Sequence, residues 1–426
     1  MNTKTIKMLI LCAVIMLCPC KHKILAQTTL TISIEQAEEI FLKNNLELIA
    51  ERYSINMAEA NVIQARLFEN PELHFEQFVY DRANGNFDLG NPNLIQFEQL
   101  FFLAGKRKKL VAFEKLNVEI AQLEFQELLR TLRSALRENF IEIYYMRKSL
   151  AVYDKGINGL ERLIAVYDDQ FAKGNVSRIE NARLKALLLM LQAEKFEIEK
   201  EIIDAHMELN LLLNQQEQTI IIPQLRTDAI RTFTFDENTY SLLARELANT
   251  PLIQMAQKEI EAEEANLRYQ KSLRIPDLTV GLLYEREGEL RPEQVGISFS
   301  IPIPIFNRNQ GEIKVAEAQL SQNRILYQQQ ERESFNELHA AYSKAKEALR
   351  FYQQSVATGL ENDFEQLIDG IISSFERRTI SMLEFIDYYE TYQETMLQLQ
   401  EIEKETILSI EAINFILGQN YFRVVE

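Results

Sequence analysis

The sequence has few prolines and glycines for its length and fewer basic than acidic residues, and these shortages bear on which classes of protein it fits. Its 426 residues include 9 Pro, 13 Gly, 3 Cys and no Trp. Lys and Arg number 46 against 63 Asp and Glu, which gives a formal net charge of −17. Such a balance argues against a nucleic-acid-binding protein, because phosphate contacts need clustered Lys and Arg. After residue 20, no stretch approaches the ~20 consecutive apolar residues of a membrane-spanning helix.

The first 26 residues have the features of a secretory signal peptide. Lys4 and Lys7 precede an apolar run from Met8 to Cys18, and Ala26 follows a short polar segment. Cleavage near Ala26 would remove four Lys and all three Cys, leaving a net charge of −21 from 42 basic and 63 acidic residues. A lipid anchor is disfavoured, since Leu or Pro precedes each Cys. We expect an exported chain with neither disulfides nor a catalytic thiol.

Proline placement predicts very long helices. No Pro occurs between Pro92 and Pro223 or after Pro304, and both intervals are rich in strong helix formers. One polar turn interrupts each interval, at 173–177 and at 377–381. The 68 residues before the first turn would form a helix ~100 Å long, which does not suit an ordinary globular domain. Two glycines in this helix, at positions 156 and 159, are expected to bend or break it.

The chain is predicted to contain two copies of one unit after the signal peptide at 1–26. Separated anchors repeat at an offset of 204 or 205 residues, as Asn210 and Asn414 do. We expect the repeats to be residues 27–222 and 223–426, each with a helix, two strands, a long helix, a turn and a return helix. The first repeat should have strands at about 72–80 and 94–102 and helices at about 105–172 and 178–213. The second should have strands at about 277–285 and 294–303 and helices at about 311–376 and 381–417.

The strand segments alternate apolar and polar residues. Val295, Ile297 and Phe299, for example, are separated by Gly and Ser. Strict alternation gives a strand one apolar and one polar face. A soluble sheet packed on a helix has the same pattern, but here the neighbouring helices are too long to fold back over the strands. Strands of ~8–10 residues with this alternation fit a membrane barrel with lipid outside and water inside.

Four consecutive basic residues begin the first long helix: Lys106, Arg107, Lys108 and Lys109. Positive charge at this end opposes the helix dipole. One interpretation is a solvated helix start. The other is contact with anionic lipid head groups where the chain leaves the membrane, which makes these four residues candidate membrane-interface contacts.

Three motifs make the chain resemble the outer membrane efflux proteins, the TolC-like family. The segment at 300–311, Ser-Ile-Pro-Ile-Pro-Ile-Phe-Asn-Arg-Asn-Gln-Gly, resembles the family's strand-to-helix junction. Asn70-Pro71-Glu72-Leu73 and Gly105-Lys106-Arg107 are similar to segments of its heavy-metal (cation) efflux branch. The resemblance implies a mainly helical fold with a small β part. Each of three protomers would give four strands to one 12-stranded outer-membrane β-barrel, and coiled-coil helical hairpins would form a tunnel in the periplasm.

The resemblance also implies function and partners. The chain would be the passive exit duct of a tripartite efflux system, joined to a periplasmic adaptor (membrane fusion) protein. An inner-membrane transporter, of the resistance-nodulation-division type, would supply the energy. Metal cations and small toxic compounds are the candidate cargoes, and neither a cofactor nor a nucleic-acid partner is implied. The alternative is a periplasmic coiled-coil scaffold or adaptor, which should have a compact β-domain that the duplicated pattern lacks.

The two polar turns contain the residues that the resemblance assigns to adaptor contact: Gly174, Val176, Ser177, Arg378, Thr379 and Ser381. A plain helical hairpin would also place Gly at a left-handed position and Ser at an N-cap, so the two roles are compatible. Three acidic residues follow the turns and are candidates for lining the periplasmic entrance: Glu180, Glu384 and Asp387. Like charges repeated in a trimer would attract cations, although a solvated helix face would look the same.

The sequence predicts neither a metal site nor a catalytic centre. His74, His206 and His339 are isolated along the chain, and the expected mature chain has no Cys. Neither a zinc pattern nor a run of soft-metal ligands is present. No phosphate-binding loop or nucleophile elbow occurs either. We therefore expect no enzyme activity and no resident metal, with metal ions still open as cargo.

Overall fold

The structure is a computed structural model that describes residues 29–77, 79, 80, 85, 87, 93–286 and 293–425, with only the backbone described at 361–366. The predicted signal peptide at 1–26 lies outside the described residues. The fold is mainly helical with a small β part, which confirms the predicted fold class.

The first predicted repeat (27–222) contains strands β1 (Thr29–Ser33), β2 (Glu72–Glu76) and β3 (Leu94–Phe101). Its helices are α1 (Ile34–Asn44), α2 (Leu46–Arg66), α3 (Lys106–Ala172) and α4 (Arg178–Leu212). Strand β4 (Ile220–Gln224) crosses the predicted boundary at 222/223, and the second predicted repeat contains β5 (Leu278–Glu285) and β6 (Gln294–Ser300). Its helices are α5 (Ala229–Thr232), α6 (Thr239–Glu246), α7 (Pro251–Ser272), α8 (Gln310–Ala357), α9 (Leu360–Glu376) and α10 (Met382–Leu417).

Helix α3 is continuous over 67 residues, so the predicted break at its glycines is wrong. The glycines instead allow close packing. A Cβ atom on Gly156 would lie 1.7 Å from the Tyr389 hydroxyl oxygen, and one on Gly159 would lie 3.1 Å from Cδ1 of Ile372. Side chains of α9 and α10 therefore occupy the space that larger residues on α3 would fill.

The second long helix differs from its prediction, because the expected helix at 311–376 is two helices, α8 and α9. Gly359 lies between them with φ +70°, and its amide donates to the Val356 carbonyl at 3.1 Å. A left-handed residue at this position ends a helix, and Gly adopts that conformation without a Cβ clash. The two repeats thus differ in the continuity of their long helices.

Four strands form one antiparallel sheet in the order β2-β3-β5-β6. The register places Glu72 opposite Glu98 and Thr279 opposite Ser300. Two predicted strands are shorter than expected. Strand β2 ends at Glu76, and residues 79 and 80 are not in a strand. Strand β6 ends at Ser300, before two prolines that cannot donate to a ladder.

A second, parallel pair of strands was not predicted. Strand β1 pairs with β4, with Thr29 opposite Ile220 at one end and Ser33 opposite Gln224 at the other. The pair joins the start of the first predicted repeat to the segment that leads into the second. A large apolar core surrounds this pair, and its fully buried members include Phe41, Phe140 and Ile221. A separate core lies toward the polar turns.

Over the residues that the structure describes, no helix combines the length and the apolar character needed to cross a membrane.

Candidate functional site

The two polar turns have the same backbone geometry. In the first turn, Gly174 has φ +78° and the Asn175 amide donates to the Gln170 carbonyl at 2.9 Å. In the second, Arg378 has φ +60° and the Thr379 amide donates to the carbonyl of residue 374 at 2.9 Å. Both are Schellman motifs, in which a left-handed residue lets the chain reverse just after a helix.

Arg378 is the unusual member of this pair. A side chain in the left-handed region costs about 1 kcal/mol, and strained residues are concentrated at functional sites. The side-chain hydroxyl of Thr379 also donates to the Ser374 carbonyl, at 2.8 Å, which helps to hold the turn. Arg378 is exposed, and its charge adds a smaller effect to the Ser177 hydrogen bonds that mainly lower the pKa of Glu180 in the first turn.

A capping box follows each turn. Glu180 accepts from the Ser177 amide at 2.9 Å, and its own amide donates to the Ser177 hydroxyl at 3.2 Å. Glu384 accepts from the Ser381 amide at 2.7 Å, and its amide donates to the Ser381 hydroxyl at 3.3 Å. These serines begin the return helices α4 and α10.

The capping boxes change the interpretation of the predicted acidic entrance. Backbone hydrogen bonds from Ser177 and Ser381, followed by their side-chain bonds, lower the pKa of Glu180 and Glu384. The contribution of each box to stability is therefore present above the ordinary pKa of Glu and is lost as the pH falls through the lowered value. These two carboxylates have a structural role, whereas Asp387 is exposed and lies outside the capping boxes.

A row of aromatic rings holds the two turns side by side. Tyr167 of α3 stacks on Phe375 of α9 with ring centroids 5.2 Å apart. Phe375 stacks on Phe385 of α10 at 4.4 Å, and Tyr389 is next to Phe385 at 6.0 Å. Phe375, Phe385 and Tyr389 are each at most 2% exposed. The turns therefore form one surface above a shared, buried aromatic cluster.

This tip surface contains two apolar residues that the sequence reasoning missed. Ile179 and Leu383 are 69% and 68% exposed, and they occupy equivalent positions 204 residues apart. The repeat offset was the signal that could have found them. We define the tip surface by these two residues and the predicted turn residues, of which Val176 is half-buried and the others are exposed: Gly174, Val176, Ser177, Ile179, Arg378, Thr379, Ser381 and Leu383.

The basic start of α3 only partly matches its prediction. The Lys106 ammonium is buried and lies 2.7 Å from Oδ2 of Asp277, so Lys106 is wrong as a lipid contact. Its partner's other oxygen accepts from the Leu103 amide at 2.9 Å. The Arg107 guanidinium lies 3.6 Å from the Phe68 ring centroid. Lys108 is exposed, and Lys109 is half-buried.

The four-stranded sheet exposes a continuous apolar face. Val295, Ile297 and Phe299 of β6 are 80%, 64% and 70% exposed. Leu282 of β5 is 55% exposed, and Phe97 of β3, which pairs with it, is 44% exposed. Exposed apolar patches of this kind mark contact with another protein or with a membrane.

The opposite, polar face of the sheet brings together three side chains that the sequence left apart. His74 Nε2 lies 3.3 Å from a Glu72 oxygen and 3.8 Å from a Glu98 oxygen. This cluster of one imidazole and two carboxylates was not predicted from the sequence, in which His74 is isolated. Alternation places Glu72 and His74 on one face, but the position of Glu98 depends on the strand register.

Comparisons with known proteins find a partial match to a family model and a relative of similar length. Residues 242–362 match the family model described as outer membrane efflux protein. The chain is 23% identical over 395 residues to the cobalt-zinc-cadmium resistance protein CzcC of Cupriavidus metallidurans, covering 91% of this chain and 90% of that protein.

Solved structures share the fold at low sequence identity. A CusC crystal structure matches with a TM-score of 0.73 and 15% identity, over 91% of this chain and 92% of that one. The outer membrane protein VceC from Vibrio cholerae matches with a TM-score of 0.70 and 15% identity, over 91% and 96%.

Proposed function

We propose that this chain is an outer membrane efflux protein and forms the outer-membrane exit channel of a tripartite efflux system, because residues 242–362 match that family model and nearly the whole chain is similar to CzcC. Three copies would join their sheets into one 12-stranded barrel, and their helices would form a conduit in the periplasm. Substrates would pass from a periplasmic adaptor and an inner-membrane transporter of the resistance-nodulation-division type to the exterior. The chain would catalyse no reaction, so the transporter would supply the energy.

The observation that carries this proposal is the sheet with its exposed apolar face. Strands β2 and β6 each pair with one strand among the described residues, so the sheet has two open edges. In lipid, an open edge would leave backbone groups without partners, and closure with neighbouring copies removes it. Four strands are too few for a barrel, whereas three copies supply twelve. The apolar face would then contact lipid and the polar face would line the pore.

The helices support the second half of the proposal. Helix α3 has 67 residues, a length of ~100 Å at ~1.5 Å per residue. Its far end carries the tip surface, on which Ile179 and Leu383 offer apolar contact area. We propose that this surface, with its strained Arg378, docks the adaptor.

Divalent metal ions are the proposed cargo. The support is the likeness to CzcC, whose name assigns it to cobalt, zinc and cadmium resistance. The acidic composition is compatible with a conduit that favours cations.

Membrane fractionation tests the location and assembly. We expect the mature chain in the outer-membrane fraction, released by detergent and not by high salt, and cross-linking as a trimer. Recovery in the soluble periplasm without detergent would contradict the channel.

Charged substitutions test the tip surface. Ile179→Glu combined with Leu383→Glu should abolish metal resistance in cells, because it replaces apolar contact area with repelling or desolvated charge. Neither residue caps a helix, so trimer formation and membrane insertion should be unchanged. The matched control is Ile179→Met with Leu383→Met, which keeps the surface apolar and should keep resistance. Full resistance in the Glu variant would refute docking through this surface.

A further inference from the structure

The cluster on the polar face of the sheet has a defined origin in the strand register. Glu72 of β2 is directly opposite Glu98 of β3, and His74 is two residues farther along β2 on the same face. Directly opposed side chains have Cβ atoms ~4.5–5.5 Å apart, close enough for both to reach one ion. One ligand atom from each of the three residues lies within 4.8 Å of the others.

The ligand types and spacing suit a divalent first-row metal ion. Zn²⁺ binds imidazole nitrogen and carboxylate oxygen at ~2.0–2.2 Å, and sites with three protein ligands leave a fourth position for water. Tetrahedral bonds of that length place ligand atoms about 3.4 Å apart. The distances from His74 Nε2 to Glu72 and Glu98, 3.3 Å and 3.8 Å, are close to this value.

Neighbouring residues orient Glu98 toward the cluster. The Gln96 side-chain amide donates to Oε1 of Glu98 at 2.5 Å, while Oε2 faces His74. Such outer hydrogen bonds fix ligand orientation in metal sites. Gly281 pairs with Glu98 on β5, and a Cβ there would lie 3.2 Å from Glu98 Cγ and 2.3 Å from the Ser298 hydroxyl oxygen. The absence of a side chain at Gly281 leaves room for the Glu98 stem.

We propose that Glu72, His74 and Glu98 bind a divalent metal ion such as Zn²⁺ on the polar face of the sheet. The side chains of Glu72 and His74 are 74% and 51% exposed, so an ion bound there exchanges readily with solvent. A trimer would carry three such sites around the pore, on the route of the cargo. This transport role rests on the proposed function, whereas metal binding does not. The competing explanation is a set of surface polar contacts between His74 and the two carboxylates that binds no ion.

Titration of the purified full-length chain with ZnCl₂ tests the site. The protein is kept in detergent, stripped with a chelator and measured by calorimetry. We expect one zinc site per chain. His74→Ala and Glu98→Gln should each weaken it at least tenfold, because each removes one of three protein ligands. Cobalt chloride provides a spectroscopic check, since His74→Ala should remove the visible absorption of four-coordinate Co²⁺.

Glu76→Gln is the matched control. Glu76 is exposed on the same strand and the same face as Glu72 and His74. Its substitution removes the same charge as Glu98→Gln while leaving the three ligands intact. Zinc affinity unchanged in Glu76→Gln and lost in His74→Ala supports the site. Equal affinity in His74→Ala and the unsubstituted chain, or equal losses in His74→Ala and Glu76→Gln, would overturn it. Such a result would refute the metal site but not the proposed channel function. A soluble periplasmic location would refute the channel function without affecting zinc binding.

Discussion

The two predicted repeats use glycine in opposite ways in their long helices. Helix α3 continues past Gly156, and its equivalent 204 residues later is position 360, where α9 begins after the break at Gly359. The Tyr389 hydroxyl occupies the space where a Cβ of Gly156 would lie, whereas a Cβ on Gly359 would meet nothing within 4 Å. The same residue type thus supports close packing in one repeat and a left-handed helix end in the other. Packing from neighbouring helices, which local sequence does not show, separates the two cases.

The same contrast recurs where the sheet joins the helices. The first junction is held by the buried pair of Lys106 and Asp277. At the second, exposed Arg308 donates from Nε to the Pro304 carbonyl at 3.2 Å. Gly156 and Lys106 therefore make buried contacts, whereas Gly359 faces open space and Arg308 is exposed. Substitutions in the first repeat should cost more stability.

The largest difference is expected at the two junctions. Lys106→Met should destabilise the chain by about 3 kcal/mol, because it leaves the Asp277 carboxylate largely buried without its partner. Arg308→Met should cost less than about 1 kcal/mol, since its contact is exposed. The measurement is the midpoint and slope of the loss of helical circular dichroism in urea, in the same detergent.

A double variant separates the buried charge from side-chain packing. Asp277→Asn added to Lys106→Met removes the unpaired charge and keeps an oxygen to accept from the Leu103 amide. It should recover most of the lost stability. Equal losses for Lys106→Met and Arg308→Met would show that the junctions do not differ as proposed.

The next effect is expected at the helix glycines. Gly156→Ala should cost about 1–3 kcal/mol, because its methyl group would overlap the Tyr389 hydroxyl and overpacking carries a penalty of that size. Tyr389→Phe should relieve part of the cost, since it removes the nearest atom, and Gly370→Ala is the control at a helical glycine with open space. The readout is again urea unfolding followed by circular dichroism. If Gly156→Ala is tolerated while Tyr389 is unsubstituted, helices α3 and α10 can move apart with little loss of stability.

The long helices and alternating strands were predictable because their signals are local. The absence of proline and the abundance of strong helix formers indicate α3. The Ser at 177 followed by Glu at 180 indicates the start of the return helix α4. Pairing of β1 with β4 was not predictable, because about 190 residues separate strands of only 5 residues each. That the two polar turns meet was not predictable from local patterns, because the contact runs through Tyr167 and Phe375.

The metal-ligand cluster shows the same limit on a smaller scale. Alternation alone places Glu72 and His74 on one face, but a shift of one residue in the register would move Glu98 to the apolar face. The burial of Lys106 is hidden from local patterns for the same reason. Its partner Asp277 lies in the other repeat, so the local pattern of four basic residues indicated an exposed surface.

The smallest effect, and the most direct comparison of the repeats, is expected at the two turns. Gly174→Ala should weaken the first turn by about 1 kcal/mol, because it places a Cβ in the left-handed region. Arg378→Gly should strengthen the second by a similar amount, because it removes that strain. Hydrogen exchange at the Asn175 and Thr379 amides measures both, with changes of about fivefold in opposite directions. If Arg378→Gly instead accelerates exchange, the charge of Arg378 near Glu180 contributes more than the strain costs. If it slows exchange while metal resistance falls, the strain is retained because the arginine side chain contacts the adaptor.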